Sequence, residues 1–260
     1  MTIPLIYEDD DILLVNKPAG MAVQGGAGVA HPLDDVLSRQ VGYRVHLVHR
    51  LDRETSGLLV VAKHPAAARE WIALITGKRV QKTYTAYCFG VPELRGKPAR
   101  TGTIAAPVTA HGREQAAVTQ FFVEQTATIP PGDGTDALTV SRLRLVLGTG
   151  RMHQIRIHLA QAHCPIIADD RHGDFRLNKT ARKSLRAKTL CLAATRITLP
   201  LGGSPRTFSV SLPPHMQAAP LADALTKPGQ REEEGESTLP TVGDLYCFKL
   251  FLRMKHSISY

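Results

Sequence analysis

Cysteine is scarce in this chain of 260 residues. Cys88, Cys164, Cys191 and Cys247 stand apart, with no pair at CxxC spacing. That scatter excludes a zinc finger and a disulfide-stapled scaffold, and it fits a reducing compartment. Long apolar runs are missing as well: no stretch approaches the roughly 20 residues that a membrane-spanning helix needs. The first apolar run, Ile12 to Val15, follows Glu8, Asp9, Asp10 and Asp11, whereas a secretory leader puts positive charge ahead of a longer apolar core. The expectation is a soluble, cytoplasmic protein. Acidic residues are outnumbered, 23 Asp and Glu against 32 Lys and Arg, for a net charge of +9. Such an excess suits a polyanionic partner, because Lys and Arg that neutralise phosphates release condensed counterions, although solubility alone accounts for it as well. Internal repeats are absent. At this length folding buries roughly 70–75% of the unfolded chain's surface, so neither metal nor disulfide is required to hold the fold.

What is present reads as short strands broken by Gly and Pro. Ile12–Val15 is stopped by Lys17-Pro18-Ala19-Gly20, a turn signal, and Gln24–Gly28 holds three glycines in five residues. Leu58–Ala62 is a continuous apolar run of strand length and predicts a strand buried on both faces. Residues 65–75 have helical character, with Trp71, Ile72 and Ile75 placed to form an apolar face. Thr83–Phe89 is rich in aromatic and β-branched residues. In Leu138–Leu147 the leucines 143, 145 and 147 alternate with Arg142 and Arg144, so one strand face is buried and the other basic. Met152–His163 predicts a helix closed by Pro165. Lys179, Arg182, Lys183 and Arg186 fall at i, i+3, i+4 and i+7, and no acidic residue occurs from Phe175 to Lys188. Solvated helix faces usually mix signs, so this single-sign face points to an RNA-contacting surface. Strands interrupted by helices without a regular βα rhythm predict an α+β fold with a mixed, largely antiparallel central sheet and flanking helices. From Pro213 onward, prolines and Gly229–Gly235 give linker composition, followed by an apolar stretch at Leu245–Met254. The expected division is a folded domain over 1–213 and a tail over 214–260.

Three clusters carry polar chemistry. His49–Gly57 places Asp52 on a loop feeding the buried strand Leu58–Ala62, which would hold a carboxylate firmly; most such Asp-Arg pairs are merely exposed turns. Gly148–His158 crowds polar residues at a helix start, a place that binds anions or carboxylates. His153, His158 and His163 lie five residues apart, about 140° around a helix, so they do not converge on a metal. Lys82–Tyr87 places Lys82, Tyr84 and Ala86 on one strand face, and a strand tyrosine ordinarily packs.

Four stretches together resemble the RluA-type pseudouridine synthases: Asn16-Lys17-Pro18-Ala19-Gly20, His49-Arg50-Leu51-Asp52-Arg53-Glu54-Thr55-Ser56-Gly57, Lys82-Thr83-Tyr84 and Gly150-Arg151-Met152-His153-Gln154-Ile155-Arg156-Ile157-His158. They occur in the family's order, and the likeness covers residues 4 to 213. Gln24–Gly28 and Ala168–Asp174 are similar to the RluC-like branch that modifies large-subunit ribosomal RNA.

The resemblance implies isomerisation of uridine to pseudouridine with no cofactor and no metal. It makes Asp52 the essential carboxylate, as nucleophile or base, and Arg156 its partner, since a close cation favours the ionised form. Tyr84 matches the tyrosine beside the extruded base. Arg50 is expected to fill the vacated stack. Lys17, Lys179, Arg182, Lys183 and Arg186 are expected on the RNA backbone, and Arg53, Lys82, Arg151, His153 and Gln154 are further RNA contacts. His172 stands where the RluC-like branch usually has Tyr. The catalytic stretch begins within ten residues of Met1, so an S4-type RNA-binding domain is not expected, and target choice would rest on the catalytic domain. The expected partner is RNA, with ribosomal RNA favoured and transfer RNA left open, since family members without an S4 domain include ones that modify transfer RNA; the expected state is a monomer. The alternatives are a non-catalytic RNA-binding protein on the same fold and, further off, a nucleoside glycosidase, which would want two carboxylates and no basic surface.

Overall fold

The computed structural model describes residues 2–26, 28–110, 112–130, 137–218 and 221–226. They fall in one unit, Met1–Lys227. Cys247 and the apolar stretch Leu245–Met254 lie outside the described residues.

The chain begins with β1 (Leu5–Glu8) and β2 (Ile12–Lys17), then α1 (Leu33–Val41), the two-residue β3 (His46–Leu47) and β4 (Ser56–Ala62). Helix α2 (Pro65–Thr76) leads to β5 (Gln81–Phe89). Two small hairpins follow, β6 (Glu93–Leu94) with β7 (Lys97–Pro98), and, after β8 (Thr101–Ile104), β9 (Val108–Ala110) with β10 (Arg113–Gln115). The long strands β11 (Thr119–Ile129) and β12 (Leu138–Leu147) precede helices α3 (Gln154–Gln161) and α4 (Phe175–Ser184). β13 (Leu192–Leu201) and β14 (Ser204–Ser209) form a hairpin, and α5 (Pro214–Gln217) and α6 (Leu221–Thr226) end the described chain.

Ten strands form one sheet, in the order β1-β2-β4-β13-β5-β12-β11-β8, with β3 added to β4 and β14 to β13. Every pairing in it is antiparallel except β4 with β13. The expected mixed, largely antiparallel sheet is therefore the fold observed. All seven residues of β4 are buried, and period-2 alternation sends them to two cores. Leu59 and Val61 join Leu13, Val15, Tyr84, Ala86, Leu143 and Leu145 on one face. Leu58, Val60 and Ala62 join Ile12, Leu14 and Ile197 on the other, against Ala67 and Trp71 of α2. Each such aliphatic side chain contributes roughly 1.5–3 kcal/mol by leaving water.

Three local readings change. In α2 the buried stripe runs through Ala67 and Trp71, one turn apart, while Ile72 is rotated about 100° away and exposed. Helix α3 starts at Gln154 rather than Met152, because His153 takes a left-handed backbone at φ 54°. Helix α4 ends at Ser184 and Arg186 has φ 53°, so Arg186 has left the helix and does not extend its basic face. Packing also continues past Pro213. Met216, Leu221 and Leu225, on α5 and α6, are buried in the larger core, so the linker-like composition there conceals two short docked helices.

Candidate active site

Asp52 lies in the loop 48–55 between β3 and β4, a loop clasped from below. Arg53 and Gly20 exchange bonds: Gly20 N–H donates to Arg53 O at 2.8 Å, and Arg53 Nε donates to Gly20 O at 3.0 Å. Lys17 Nζ donates to the carbonyls of Pro18, Met21 and Arg53 at 2.9, 2.7 and 3.0 Å. Burial pulls its ammonium down to about 7, while Glu54 and Asp52 pull it up. Three acceptors need three N–H donors, which only the ammonium supplies, so the geometry holds the charged form. Lys17 is fully buried. It cannot reach an RNA backbone, and its expected role there is corrected to bracing the Asp52 loop.

Behind the loop, Gly57 has φ 112° and sits in the parallel pairing with β13. A Cβ there would meet Ala194 O at 2.2 Å. Glycine alone lets β13 approach this closely. His49 is equally committed to structure: its Nε2 accepts from Val60 N–H at 3.0 Å. Burial, with the Lys82 charge adding to it, holds its pKa well below the ordinary value.

The second wall is α3. Gln154, expected to touch RNA, is buried and its amide is spent inside the protein. Oε1 accepts from the Thr149 hydroxyl at 2.6 Å and from Arg151 N–H at 3.1 Å. Nε2 donates to Val118 O at 2.9 Å and Thr119 Oγ1 at 3.0 Å. The Thr119 hydroxyl then faces His158 Nδ1 at 2.9 Å, and His158 Nε2–H donates to Ala106 O at 2.9 Å. This is a fixed chain of donors and acceptors that orients α3, so Gln154 is reassigned from RNA contact to a helix anchor.

Two residues along, Arg156 is also buried, and its main partner is a residue that spacing did not suggest. Arg156 Nε and Nη2 donate to Asp169 Oδ2 and Oδ1 at 2.9 and 2.7 Å, a bidentate pair. The remaining nitrogen, Nη1, faces Asp52 Oδ2 at 3.7 Å and Glu54 Oε2 at 3.8 Å. Burial would raise the Asp169 carboxyl, but Arg156 and the N–H groups of His172 and Arg171 outweigh it and hold it below the usual carboxylate range. A signal for Asp169 exists in the sequence, since a buried arginine demands a buried carboxylate, but nothing local says which of the two aspartates at 169 and 170 supplies it.

The other oxygen of Asp52 faces His153, Oδ1 to Nε2 at 3.9 Å. His153 Nδ1 lies 2.8 Å from His172 Nε2. Burial lowers both imidazoles, with Arg156 and Arg171 adding to it and Asp52 and Asp169 opposing. Neutral rings in this arrangement let His153 Nε2–H point to the carboxylate while Nδ1 accepts from His172. Tyr84 is buried, and burial followed by the Asp52 charge pushes its phenol up. A neutral phenol near the carboxylate can hydrogen-bond; it is a poor phenolate base.

Asp52, Arg156, His153, His172 and Asp169 are thus linked by contacts of 2.7 to 3.9 Å, with Tyr84 within reach of the Asp52 charge. Arg50 and Arg53 are exposed beside this cluster. Arg151 is exposed as well, its Nε on Ala116 O at 3.3 Å. Lys82 is largely enclosed, and burial lowers its ammonium. Lys179, Arg182, Lys183 and Arg186 are exposed, with Arg182 held bidentate by Asp170 at 2.8 and 2.9 Å. Among the described residues no cluster of three or more His, Cys, Asp or Glu could hold a metal, and no helix is long and apolar enough to cross a membrane.

Comparison with known proteins bears on this constellation. The family model for RNA pseudouridylate synthase matches residues 11–161, which takes in both the Asp52 loop and α3. The ribosomal large subunit pseudouridine synthase C of Rickettsia felis is 32% identical over 73% of this chain, which spans 62% of that protein's length. The protein of the same name from Vibrio vulnificus is 34% identical over 86% of this chain and 67% of its own. Among solved structures, human RNA Pseudouridylate Synthase Domain Containing 4 superposes with a TM-score of 0.63 at 26% identity, over 82% of this chain and 91% of that one. The fold, the carboxylate loop and the matching sequence agree: this chain belongs to the RNA pseudouridylate synthase family.

Proposed function

We propose that this protein is a cytoplasmic, monomeric RNA pseudouridine synthase acting on ribosomal RNA, with Asp52 as its catalytic carboxylate. The observation that carries the reading is the setting of Asp52: one oxygen faces the Arg156 guanidinium and the other faces His153, on a loop braced by Lys17 and Gly57. A carboxylate so fixed can approach C1′ of an extruded uridine, or assist a proton leaving the sugar, at a defined angle. The N1–C1′ bond breaks, the uracil turns, and C5 bonds to C1′; the C5 hydrogen is lost as a proton and N1 gains one, so no redox partner is required. Arg156 faces the carboxylate and orients it. Tyr84, neutral and with little open ring surface, serves better as a hydrogen-bonding neighbour of the uracil than as a base. Arg50, Arg53 and Arg151 are the cations placed to meet RNA around this centre, Arg50 being the one to fill the vacated stack. The names of the relatives support ribosomal RNA as the substrate. The docked helices α5 and α6 support a catalytic unit that runs through Thr226.

The test is Asp52→Asn, assayed by tritium release from ribosomal RNA labelled at uridine C5. Activity should vanish while RNA affinity stays within twofold. Retained tritium release would overturn the reading.

A further inference from the structure

Phe175 is the most exposed large apolar side chain of the described residues, 83% accessible, against 47% for the next, Ile72. Its position gives that exposure a direction. Phe175 opens α4, after Asp174 caps the helix by accepting from Leu177 N–H at 2.9 Å. At 100° per residue, Phe175, Lys179, Arg182 and Lys183 share an arc of about 100°. All four are exposed, while Asn178 is buried on the flank of this arc and Ala181 is buried further round the helix. One helix face therefore offers an open aromatic ring followed by three cations, with no acid on it; Asp170 reaches Arg182 alone.

The helix is also rigidly referenced to the candidate active site. Asn178 Oδ1 accepts from Ala168 N–H at 2.8 Å, and its Nδ2 donates to Asp169 O at 3.0 Å. Asp169 in turn grips Arg156, which faces Asp52. Close packing at Gly173, where a Cβ would meet Asp169 O at 2.3 Å, fixes the turn that brings Phe175 round. Two hydrogen-bonded steps and one longer charge contact, Arg156 Nη1 to Asp52 Oδ2 at 3.7 Å, link Asn178 of α4 to the carboxylate, so whatever docks on α4 is held at a set distance from Asp52.

We infer that this face of α4 binds an unpaired nucleobase of the RNA substrate, stacked on Phe175, with the adjoining phosphates on Lys179 and Lys183. The chemistry is that of single-strand recognition: an aromatic face takes any base, and lysines alongside take the backbone. The inference deepens the proposed function and rests on it, since it places a single-stranded segment beside the target uridine.

The full chain should be titrated with a labelled 12-nucleotide single-stranded RNA and with an abasic strand of the same length, which keeps the phosphates and loses the bases. The wild type should prefer the strand with bases by more than about tenfold, since the Phe175 stack alone is worth about that much and the Asp52 site adds to it. Phe175→Ala should lower that preference about tenfold with an unchanged Tm, and Phe175→Trp should keep it. Lys179→Gln with Lys183→Gln should weaken both strands alike and lower the salt dependence by about two phosphates. An unchanged preference in Phe175→Ala overturns the inference. So does sedimentation showing that Phe175→Ala splits a dimer while leaving RNA binding intact, which would make the face a contact between copies. Tritium release separates the two readings. Base-dependent binding without isomerisation removes the enzyme and keeps the platform; isomerisation with an unaltered KM in Phe175→Ala does the reverse.

Discussion

Replacing Asp169 with asparagine keeps the shape of the side chain and removes its charge. The amide oxygen can still accept from the N–H groups of Arg171 and His172, which the carboxylate accepts at 3.0 Å each. Arg156 loses its bidentate partner and stays buried, only 4% of its side chain being accessible. Orphaning one member of a buried pair costs about 3–5 kcal/mol. Asp52 and Glu54, at 3.7 and 3.8 Å, still offset part of that charge, so the lower end applies, about 3 kcal/mol, or a fall in Tm of roughly 6–12 °C for a unit of this size. The freed guanidinium should close on Asp52, turning its carboxylate, so kcat should drop at least about tenfold with KM little changed. The pH dependence has a definite sign. The folded-state pKa of Asp169 lies below its unfolded value, so its stabilisation is complete above about pH 4 and is lost as pH falls through the folded value. The Tm gap between wild type and Asp169→Asn should therefore narrow on acidification below about pH 4. Calorimetry from pH 7 to 3 and tritium-release kinetics measure both effects. A variant within 2 °C of wild type at pH 7, as a rough margin, would show that Arg156 does not depend on Asp169.

Two further perturbations probe the frame around Asp52. Gly57→Ala combines a positive φ with a clash on Ala194 backbone and should cost about 3–5 kcal/mol; a urea midpoint shift worth less than about 1 kcal/mol would contradict the close approach of β13. Lys17→Met leaves three carbonyls without their donor and should cost about 3 kcal/mol, while leaving the salt dependence of RNA binding unchanged; a slope reduced by about one would return Lys17 to the RNA interface.

Where periodicity encodes structure, the sequence was legible. β12 spans the alternating run Leu138–Leu147 as read, and β4 contains the apolar run and two residues before it. Asp52 and Arg156 were named through their motifs, and they do lie together. The misassigned residues share one cause. Lys17 and Gln154 are polar residues in loop or helix-start settings, where a buried side chain and an exposed one look alike until its partners are known. Those partners, Arg53 O for Lys17 and Thr119 for Gln154, come from distant segments. Asp169 escaped for the same reason, since its pairing with Arg156 is a fact of tertiary structure. The left-handed turns at His153 and Arg186 carry no composition signal, which is why periodicity alone extends α3 and the basic face too far.

The parallel seam between β4 and β13 also sets a schedule. Ser56 and Gly57 meet Ala193 and Ala194 directly, though half the chain separates them, and contacts of such long sequence separation form late in folding. The hairpins and helices between them can assemble during synthesis, but the backing of the Asp52 loop arrives only when β13 has left the ribosome. A nascent chain ending before Leu192 would carry every residue of the Asp52–Arg156–Asp169 cluster and still be inert. Release of tritium by chains truncated before and after β13 would time that transition.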